Sequence, residues 1–389
     1  MIIHQVYDIK GIPNNIENTL MLKKDILEQY AKGLTQDQIA TKLKCAQSTV
    51  SQHLSNAKRK AERDGMDPGY VLRGKSVYDT ETHTWTKTER DREFEIQTLH
   101  NIAEALANKL PKFSKIIRPK VDRLGEGYKN TFIFGDPHIN MYTHGRECGA
   151  NWDTKIAIKR HTIAMRDMIC RAPPSIDATL VTTGDIFHSD SLKAITPEGG
   201  NIVDIDGRLV PAAEKTVEML RLFMTWMLQI YRNVDVVIIP GNHSPTLERM
   251  LAIMLRIAAE NEPRLNIIDN TAKHIPLVWE KNFQLFTHGD RLTKQKKADI
   301  ATAKFRKEHG SANFSHCISG HLHHYEADTI SGVFVEIYEV LCPADAWHNE
   351  GGFVTADHSA TVLRYHHNGG ISDRITSNPR FWTGDLVNL

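Results

Sequence analysis

Cysteine is scarce in this sequence, and the few cysteines present are not paired at close spacing. Only five occur among 389 residues, and none forms a C-x-x-C motif. An odd, dispersed set argues against a disulfide framework and against a cysteine-rich zinc module. The pattern is typical of a protein that works in a reducing compartment.

Long apolar runs and an excess of charge of one sign are also missing. No apolar stretch approaches the roughly 18 residues of a membrane span, so no membrane partner is expected. The amino terminus MIIHQVYDIKGIPNN lacks the charged and apolar regions of a signal peptide, which predicts a cytoplasmic protein. The net charge of +1 gives no indication of nucleic-acid binding, so only local clusters of charge are informative.

The sequence divides into three regions, which we predict to be domains at 1–64, 65–128 and 129–389. In the first region, apolar residues recur at spacings of three and four, as at Ile39 and Leu43 and again at Val50 and Leu54. This spacing predicts short amphipathic helices. Thr35 followed by glutamine three positions later is the pattern of a capping box. Two short helices joined by a tight turn predict a helix-turn-helix.

The last helix of the first region is polar and ends in basic residues, which suits DNA better than a protein core. This stretch resembles the helix-turn-helix of LuxR-type regulators and sigma factors, chiefly through GLTQDQIATKL and STVSQHLSNAKRK. The resemblance implies major-groove and phosphate contacts by Gln47, Ser48, Thr49, Ser51, Gln52, Lys58, Arg59 and Lys60. A small helical bundle used for packing or dimerisation is the alternative. Because helix-turn-helix modules often act in pairs, a homodimer is a further expectation.

The second region predicts a hairpin, a helix and a basic linker. The segment GYVLRGKSVYDTETHTWTKTE alternates in polarity, as a β-hairpin does. The segment REFEIQTLHNIAEALANKL follows as an amphipathic helix that ends at Pro111. The basic residues after it are more typical of a solvated connector than of a binding surface.

In the third region, five apolar runs alternate with helical stretches. The runs are NTFIFGD, ATLVTTGD, VDVVIIPGNH, FQLFTHGD and HCISGHLHH, and the helical stretches include Thr154–Arg171 and Ala212–Tyr231. Buried strands separated by helices predict an α/β fold with an at least partly parallel sheet. A small hairpin is predicted around Asp206 and Gly207, inside an inserted segment, Asn201–Val210, that is either a substrate gate or decoration.

Each apolar run ends in residues that bind metals. These residues are Asp136, His138, Asp185, Asn242, His243, His288, His321 and His323. Ligands of α/β sheets gather beyond the carboxyl ends of the strands, so we expect these side chains in one crevice. A glycine stands beside each ligand position and suits a close approach of the backbone. Oxygen and nitrogen ligands without thiolate disfavour structural zinc and suit manganese, iron or zinc.

The series GDPH, GD, GNH, HG and GHLH resembles the motifs of the calcineurin-like metallophosphoesterases over residues 130–365. The resemblance implies a sandwich of two sheets flanked by helices and two divalent metal ions, with Mn²⁺ expected ahead of Fe²⁺ and Zn²⁺. It assigns Asp136, His138 and His323 to one ion. It assigns Asn242, His288 and His321 to the other, with Asp185 bridging both. His243 is expected to protonate the leaving oxygen, while His324 matches no ligand position.

The motif GDIFHS resembles the nuclease branch of these enzymes, the Mre11/SbcD type of DNA repair exonuclease. The resemblance implies that His188 contacts a nucleic-acid phosphate, whereas the alternative is a histidine that packs the loop. Ser244 stands where the family usually has an acidic residue that orients the adjacent histidine. No long helical extension follows the catalytic motifs, so no SMC-like ATPase partner is expected. A basic segment at 291–307 is either a nucleic-acid channel or a solvated helix face.

Taken together, the motifs predict a two-metal phosphodiesterase, a DNA exonuclease or endonuclease that its helix-turn-helix delivers to duplex DNA. Two other functions stay open at this point. One is a phosphomonoesterase or nucleotide phosphohydrolase with an incidental helical domain. The other is a DNA-binding regulator whose metal domain does not turn over, although the complete ligand series argues against it.

Overall fold

The structure is a computed structural model, and it describes residues 25–26, 29, 34–54, 70–72, 88–90, 113, 125–190, 194–197, 199–353 and 356–383. The chain forms two compact units, Met1–His100 and Asn101–Leu389. The domain boundaries at residues 64 and 128 stay predictions. Within the described ranges, no helix is both long and apolar enough to cross a membrane.

The first unit contains the predicted pair of short helices. Helix α1 (Gln36–Leu43) begins with the expected capping box: the Gln38 amide donates to Thr35 Oγ1 at 3.4 Å, and the Thr35 amide donates to Gln38 Oε1 at 2.9 Å. Lys44 takes a left-handed conformation at φ 53° and ends the helix. Helix α2 then starts at residue 47 and continues to 54, the end of this described stretch. The helices share a small apolar core of Ile26, Ile39, Ala40 and Val50.

In the segment predicted to form a hairpin, two short strands pair with each other. Strand β1 (Tyr70–Leu72) runs antiparallel to β2 (Thr88–Arg90), with Tyr70 opposite Arg90. The predicted helix at 92–110 and the basic linker lie outside the described residues.

Within the described residues, the second unit contains eleven strands. In chain order they are β3 (Tyr128–Phe134), β4 (Asp177–Thr182), β5 (Asn233–Ile238), β6 (Leu265–Ile267), β7 (His274–Trp279), β8 (Asn282–Thr287), β9 (Phe314–Ser319), β10 (Glu326–Ile330), β11 (Val333–Ile337), β12 (Ala360–His366) and β13 (Ile371–Ser377). They form a six-stranded sheet of order β13-β12-β3-β4-β5-β6 and a five-stranded sheet of order β10-β11-β9-β8-β7. Strands β3 to β6 are parallel to one another, as are β8, β9 and β11, so both sheets are mixed.

The second unit also contains helices between its strands. They are α3 (Gly145–Cys148), α4 (Thr154–Arg171), α5 (Leu209–Ile230), α6 (Pro245–Ala258), α7 (Lys294–Asp299), α8 (Arg306–Ser311) and α9 (Ala346–Glu350). A π-helical segment, Ile300–Lys304, joins α7 to α8, and a short 3-10 turn, Pro379–Phe381, follows β13.

Alternate strand residues face two different cores, as expected for strands buried on both faces. Ile133 and Val181 of the six-stranded sheet meet Phe286 and Ile318 of the five-stranded sheet in the space between the two. The opposite face of the six-stranded sheet packs on α4, α5 and α6, and the opposite face of the five-stranded sheet packs on α7. The predicted fold class is therefore confirmed: an α/β sandwich of two sheets flanked by helices, with a helix-turn-helix on its amino-terminal side in the sequence.

The hairpin predicted around Asp206 and Gly207 is wrong. Ile205 bridges to Met141 in a distant part of the chain, and Ile202 bridges to Ile195, which lies outside the predicted hairpin. Asp206 also accepts the backbone N–H of Thr154, at 2.9 Å. The turn residue Gly207, at φ 68°, instead leads into α5.

Candidate metal centre

The predicted ligands follow the carboxyl ends of five strands, three in one sheet and two in the other. Asp136 and His138 follow β3, Asp185 follows β4, and Asn242 and His243 follow β5. His288 follows β8, and His321 and His323 follow β9. Because the parallel strands of each sheet end at the same edge, these side chains gather at one end of the sandwich.

The first group is Asp136, His138 and His323, whose ligand atoms all lie within 4.8 Å of one another. His138 Nε2 is 3.3 Å from His323 Nε2, and His323 Nε2 is 3.4 Å from Asp136 Oδ2. Burial and the nearby His188 hold the pKa of His138 well below its usual range, so the ring is neutral and offers a lone pair. This is the ligand set that the sequence predicts for one ion.

The second group is Asp185, His288 and His321. His288 Nε2 lies 3.1 Å from Asp185 Oδ2 and 2.8 Å from Asn242 Oδ1, while its Nδ1 lies 2.9 Å from the Thr183 carbonyl oxygen. The Thr183 carbonyl oxygen accepts a hydrogen bond from Nδ1–H and so fixes the ring. Nε2 then faces the oxygens of Asp185 and Asn242. Two oxygens and imidazole nitrogens at one point suit a divalent cation.

The electrostatics of the two groups are linked through buried carboxylates. Burial alone lowers the pKa of His288, but Asp185 and Asp136 outweigh it and raise that pKa to about 10. Burial raises the pKa of both carboxyls, yet His288 holds each of them lowered. Both carboxyls therefore favour the charged form, which is the form that binds a cation.

Four of the predicted ligands have a backbone conformation that residues other than glycine rarely adopt. They are His138 (φ 41°), Asp185 (φ 48°), His321 (φ 76°) and His323 (φ 58°). Each such residue costs about 1–3 kcal/mol and persists only where the surroundings enforce it. This concentration of strain at the strand ends is typical of a functional site.

Two glycines let the strand ends approach the carboxylates closely. A Cβ atom at Gly241 would lie 2.0 Å from Asp185 Oδ1, and one at Gly320 would lie 2.2 Å from Asp136 Oδ1. Both distances are far shorter than van der Waals contact, so no other residue fits either position without moving a ligand. The expectation that glycine serves a crowded site is met at these two positions.

His188 and His243 form a third histidine group with His138. His188 Nδ1 lies 2.9 Å from His138 Nδ1, and its ring stacks on that of His243 with centroids 5.0 Å apart. Burial and the neighbouring His243 lower the pKa of His188 to about 3. His243 Nδ1 in turn lies 3.0 Å from the carbonyl oxygen of His188. A contact between His188 and a nucleic-acid phosphate stays a prediction.

Glu248 is a residue that the sequence did not reveal. Its buried carboxylate accepts the amides of Ile186 and Gly241, each at 2.6 Å, and the hydroxyl of Ser244 at 3.0 Å. It therefore fastens the turn after Asp185 to the turn before Asn242. In the sequence, Glu248 looks like any acidic residue in the first turn of a helix, so only the fold identifies it.

The sequence also does not indicate that Asp345 and His348 lie at the site. Asp345 Oδ2 lies 3.7 Å from His188 Nε2, and its other oxygen lies 2.7 Å from His348 Nδ1. The His348 ring stacks on His323, with centroids 5.0 Å apart and planes at 19°. These residues come from a loop that matches none of the family's motifs, so no signal in the sequence pointed to them.

Two lysines of the basic segment at 291–307 contact other parts of the protein. Lys294 forms ion pairs with Glu326 at 2.7 Å and Asp328 at 3.2 Å. Lys297 is buried, and its ammonium donates to Ser319 Oγ at 2.8 Å. These two lysines thus have partners within the protein. The segment also contains Arg291, Lys296, Lys304, Arg306 and Lys307, and the Lys304 ammonium lies 5.2 Å from the centroid of the Phe305 ring.

His324 lies outside both ligand groups. Its side chain is about half exposed, and its Nδ1 lies 2.9 Å from the Leu322 carbonyl oxygen. In the first unit, Gln47, Ser48 and Gln52 are exposed along α2, and Thr49 and Ser51 are partly exposed. Lys58, Arg59 and Lys60 lie outside the described residues.

A family model described as GerE, bacterial regulatory proteins of the luxR family, matches residues 23–62. The match covers the helix-turn-helix and little more of the chain. It confirms the predicted LuxR-type resemblance for that segment. A comparison with curated protein sequences gave no match.

A comparison with solved structures found similarity to phosphoesterases and Vps29 proteins. An archaeal phosphodiesterase has 14% identity and a TM-score of 0.33, covering 64% of this chain and 99% of that one. A Streptococcus pneumoniae protein described as a predicted phosphoesterase has 8% identity and a TM-score of 0.26, covering 64% and 98%. Vps29 of Entamoeba histolytica in complex with Zn²⁺ has 12% identity and a TM-score of 0.28, covering 64% and 98%. Scores of this size do not assign an activity or a branch to this chain.

Proposed function

We propose that the second unit is a two-metal phosphodiesterase of the calcineurin-like type that cleaves DNA, and that the helix-turn-helix brings it to duplex DNA. The observation that carries this proposal is the pair of histidine–carboxylate groups, Asp136–His138–His323 and Asp185–His288–His321. Both lie at the same end of the sandwich, in the order and composition that the motif series predicts. The cleavage of DNA and the Mre11/SbcD branch rest on the GDIFHS motif.

The donor atoms suit two divalent ions. Asp136, His138 and His323 would hold one ion, and Asn242, His288 and His321 the other, with Asp185 bridging them. Manganese is the ion we propose, with iron or zinc as the alternatives, because the donors are oxygen and imidazole nitrogen. When bound, two such ions neutralise phosphoryl oxygens and lower the pKa of water. Within the described residues the cysteines Cys148, Cys317 and Cys342 are buried but belong to neither group.

His243 is the proposed proton donor to the leaving oxygen. Its Nδ1–H donates to the carbonyl oxygen of His188, which leaves Nε2 for the substrate. Its backbone amide also donates to Asp185 Oδ1 at 2.7 Å, so the ring is tied to a proposed metal ligand. A general acid in this position needs a fixed orientation toward the leaving oxygen, and these two hydrogen bonds provide it.

The helix-turn-helix is the proposed targeting device. The family match at residues 23–62 and the exposed polar side chains of α2 support it. We propose that Gln47, Ser48, Thr49, Ser51 and Gln52 face the major groove. Lys58, Arg59 and Lys60 would meet phosphates, and a homodimer would place two such helices on one site.

The proposal is tested by comparing a small phosphodiester with a small phosphomonoester at equal Mn²⁺. We expect kcat/KM to be higher for the diester by at least about tenfold, the equivalent of 1.4 kcal/mol. Robust turnover of the monoester alone would instead support a phosphomonoesterase. Turnover of neither, with duplex DNA still bound, would support a non-catalytic regulator.

A further inference from the structure

Two large aromatic side chains stand exposed near the metal centre. Trp347 is 68% exposed and Phe353 is 62% exposed. Their ring centroids lie 5.9 Å apart with planes at 17°, so the two rings are stacked and nearly parallel. Rings of this size bury apolar area when a partner is available, so exposed pairs mark interaction sites.

A series of ring contacts connects this surface to the metal centre. The His348 ring stacks on His323, a proposed ligand, and lies 5.0 Å from the Trp347 ring and 6.3 Å from the Phe353 ring. Only one side chain thus separates the exposed pair from the ligand group. A molecule on the Trp347–Phe353 surface would lie next to whatever occupies the metal centre.

The surface is held in place by hydrogen bonds around α9. Asp345 caps this helix by accepting the His348 amide at 2.8 Å, and the same carboxylate faces His188. Asn349 donates to the Glu147 carbonyl oxygen at 2.8 Å, and the Phe353 amide donates to the His348 carbonyl oxygen at 2.9 Å. The backbone that carries the aromatic pair is therefore fixed with respect to the site, as a substrate contact requires.

We propose that Trp347 and Phe353 form a stacking platform for a base of the DNA strand whose phosphate lies at the metal centre. The proposal rests on the proposed function, and it adds a substrate class: a single-stranded or unpaired end. A base offers its face to a protein ring only when it is not stacked in a duplex. Stacking accepts every base because each has a flat π-face, so the platform implies no sequence preference.

The test compares a fluorescent ten-residue oligothymidylate with an oligomer of the same length that contains only abasic sites. Binding is measured by anisotropy with the full chain carrying Asp185→Asn, in which cleavage is not expected. We expect Trp347→Ala to weaken binding of oligothymidylate about 5- to 100-fold, the effect of removing one base-stacking interaction. The abasic oligomer should bind both proteins equally, and Trp347→Phe should restore most of the affinity.

Phe381→Ala is the matched control, because Phe381 is 76% exposed and lies in the turn Pro379–Phe381, away from α9 in sequence. It should change neither affinity. Equal losses on both oligomers, or no loss on either, would overturn the platform. A dimer that Trp347→Ala converts to monomer, with unchanged base dependence, would make the surface a contact between copies and would also overturn it. Failure to hydrolyse any diester would overturn the proposed function alone, since the binding comparison does not depend on turnover.

Discussion

The ring of His243 is oriented by the backbone of His188: its Nδ1 lies 3.0 Å from that carbonyl oxygen. The family resemblance places an acidic side chain next to this histidine, and the chain has Ser244 there instead. Ser244 is buried and takes another role, since it accepts the Phe187 amide at 3.1 Å and donates to Glu248 at 3.0 Å. The carbonyl oxygen of His188 thus orients the His243 ring, which is the task that the resemblance assigns to the acidic residue. The His243 ring is therefore oriented even though Ser244 replaces that residue.

His243→Ala tests this role through the leaving group. A general acid contributes roughly 10²- to 10⁴-fold when the departing oxygen is basic, and little when it leaves as a stabilised anion. We expect a loss of this size in kcat for DNA and a loss below about tenfold for a p-nitrophenyl diester. Steady-state kinetics on both substrates measure the difference. Equal losses on the two substrates would show that His243 acts in some other way.

His188→Ala distinguishes two possible roles of His188: positioning the proposed metal ligand His138 and contacting a DNA phosphate. His188 lies against His138, and loss of such a ligand-orienting partner typically costs about 10- to 100-fold in metal affinity. The predicted phosphate contact implies a further loss that appears on polymeric DNA and not on a small diester. Metal titration and turnover of both substrates measure these effects.

His324→Ala is the control for that variant, because His324 follows the proposed ligand His323 in the sequence but belongs to neither ligand group. It should leave metal affinity and turnover unchanged. If His188→Ala loses the same turnover on DNA and on the small diester, His188 does not contact a DNA phosphate. Its role would then be limited to positioning His138.

Stability in acid depends on Glu336, which lies at the centre of a buried polar network. Its carboxylate accepts the Tyr325 hydroxyl at 2.7 Å, lies 2.9 Å from His316 Nε2 and pairs with Arg374. Burial raises the pKa of Glu336, but His316 and Arg374 outweigh it and lower the pKa from 4.5 to about 2. A carboxyl with a lowered folded-state pKa stabilises the protein above pH 4.5, and this stability is lost as the pH falls toward 2.

Glu336→Gln should therefore destabilise the protein at pH 7 by about 3 kcal/mol and should flatten the loss of stability below pH 4.5. Urea unfolding followed by circular dichroism between pH 7 and pH 3 measures both effects. If the stability of the variant and of the native chain depended on pH in the same way, Glu336 would not be the cause of the loss of stability in acid.

The basic end of the helix-turn-helix predicts a salt dependence of duplex binding. Replacing Lys58, Arg59 and Lys60 with alanine should weaken binding to every sequence and reduce the slope of log K against log salt by about 0.9 for each phosphate that the variant no longer neutralises. Anisotropy of a labelled duplex over a range of KCl gives the slope. Lys42→Ala is the control, because the Lys42 ammonium donates to Gln29 at 2.8 Å within the first unit. An unchanged slope in the triple variant would argue that this module does not read DNA.

Much of the fold follows from local patterns that the sequence displays directly. Helix α4 has the predicted bounds, since Asp153 caps its start by accepting the Ile156 amide at 2.7 Å and two prolines follow its end. Helix α5 begins at Leu209, three residues before the predicted start, because Pro211 is tolerated in a first turn. The gathering of these side chains was also predictable, since a strand end with a glycine beside a metal-binding residue recurs five times.

What the sequence does not reveal depends on contacts between distant segments. Glu248 reaches the turn at Ile186, 62 positions earlier in the chain, and Asp345 reaches His188 from a loop without any motif. The pairing of Ile205 with Met141 replaces a hairpin that its turn residues favour locally. Long-range packing decides such cases, and a single sequence carries no pattern for it.

Cleavage of an end-labelled linear duplex in the presence of Mn²⁺ tests the central claim most directly, with Asp185→Asn as the comparison. The proposed bridging role of Asp185 predicts that the native chain releases labelled nucleotides and that the variant releases none while binding the duplex with unchanged affinity. Unchanged turnover in Asp185→Asn would contradict the bridging role. Absence of cleavage by the native chain, together with rapid hydrolysis of small phosphomonoesters, would contradict the nuclease itself.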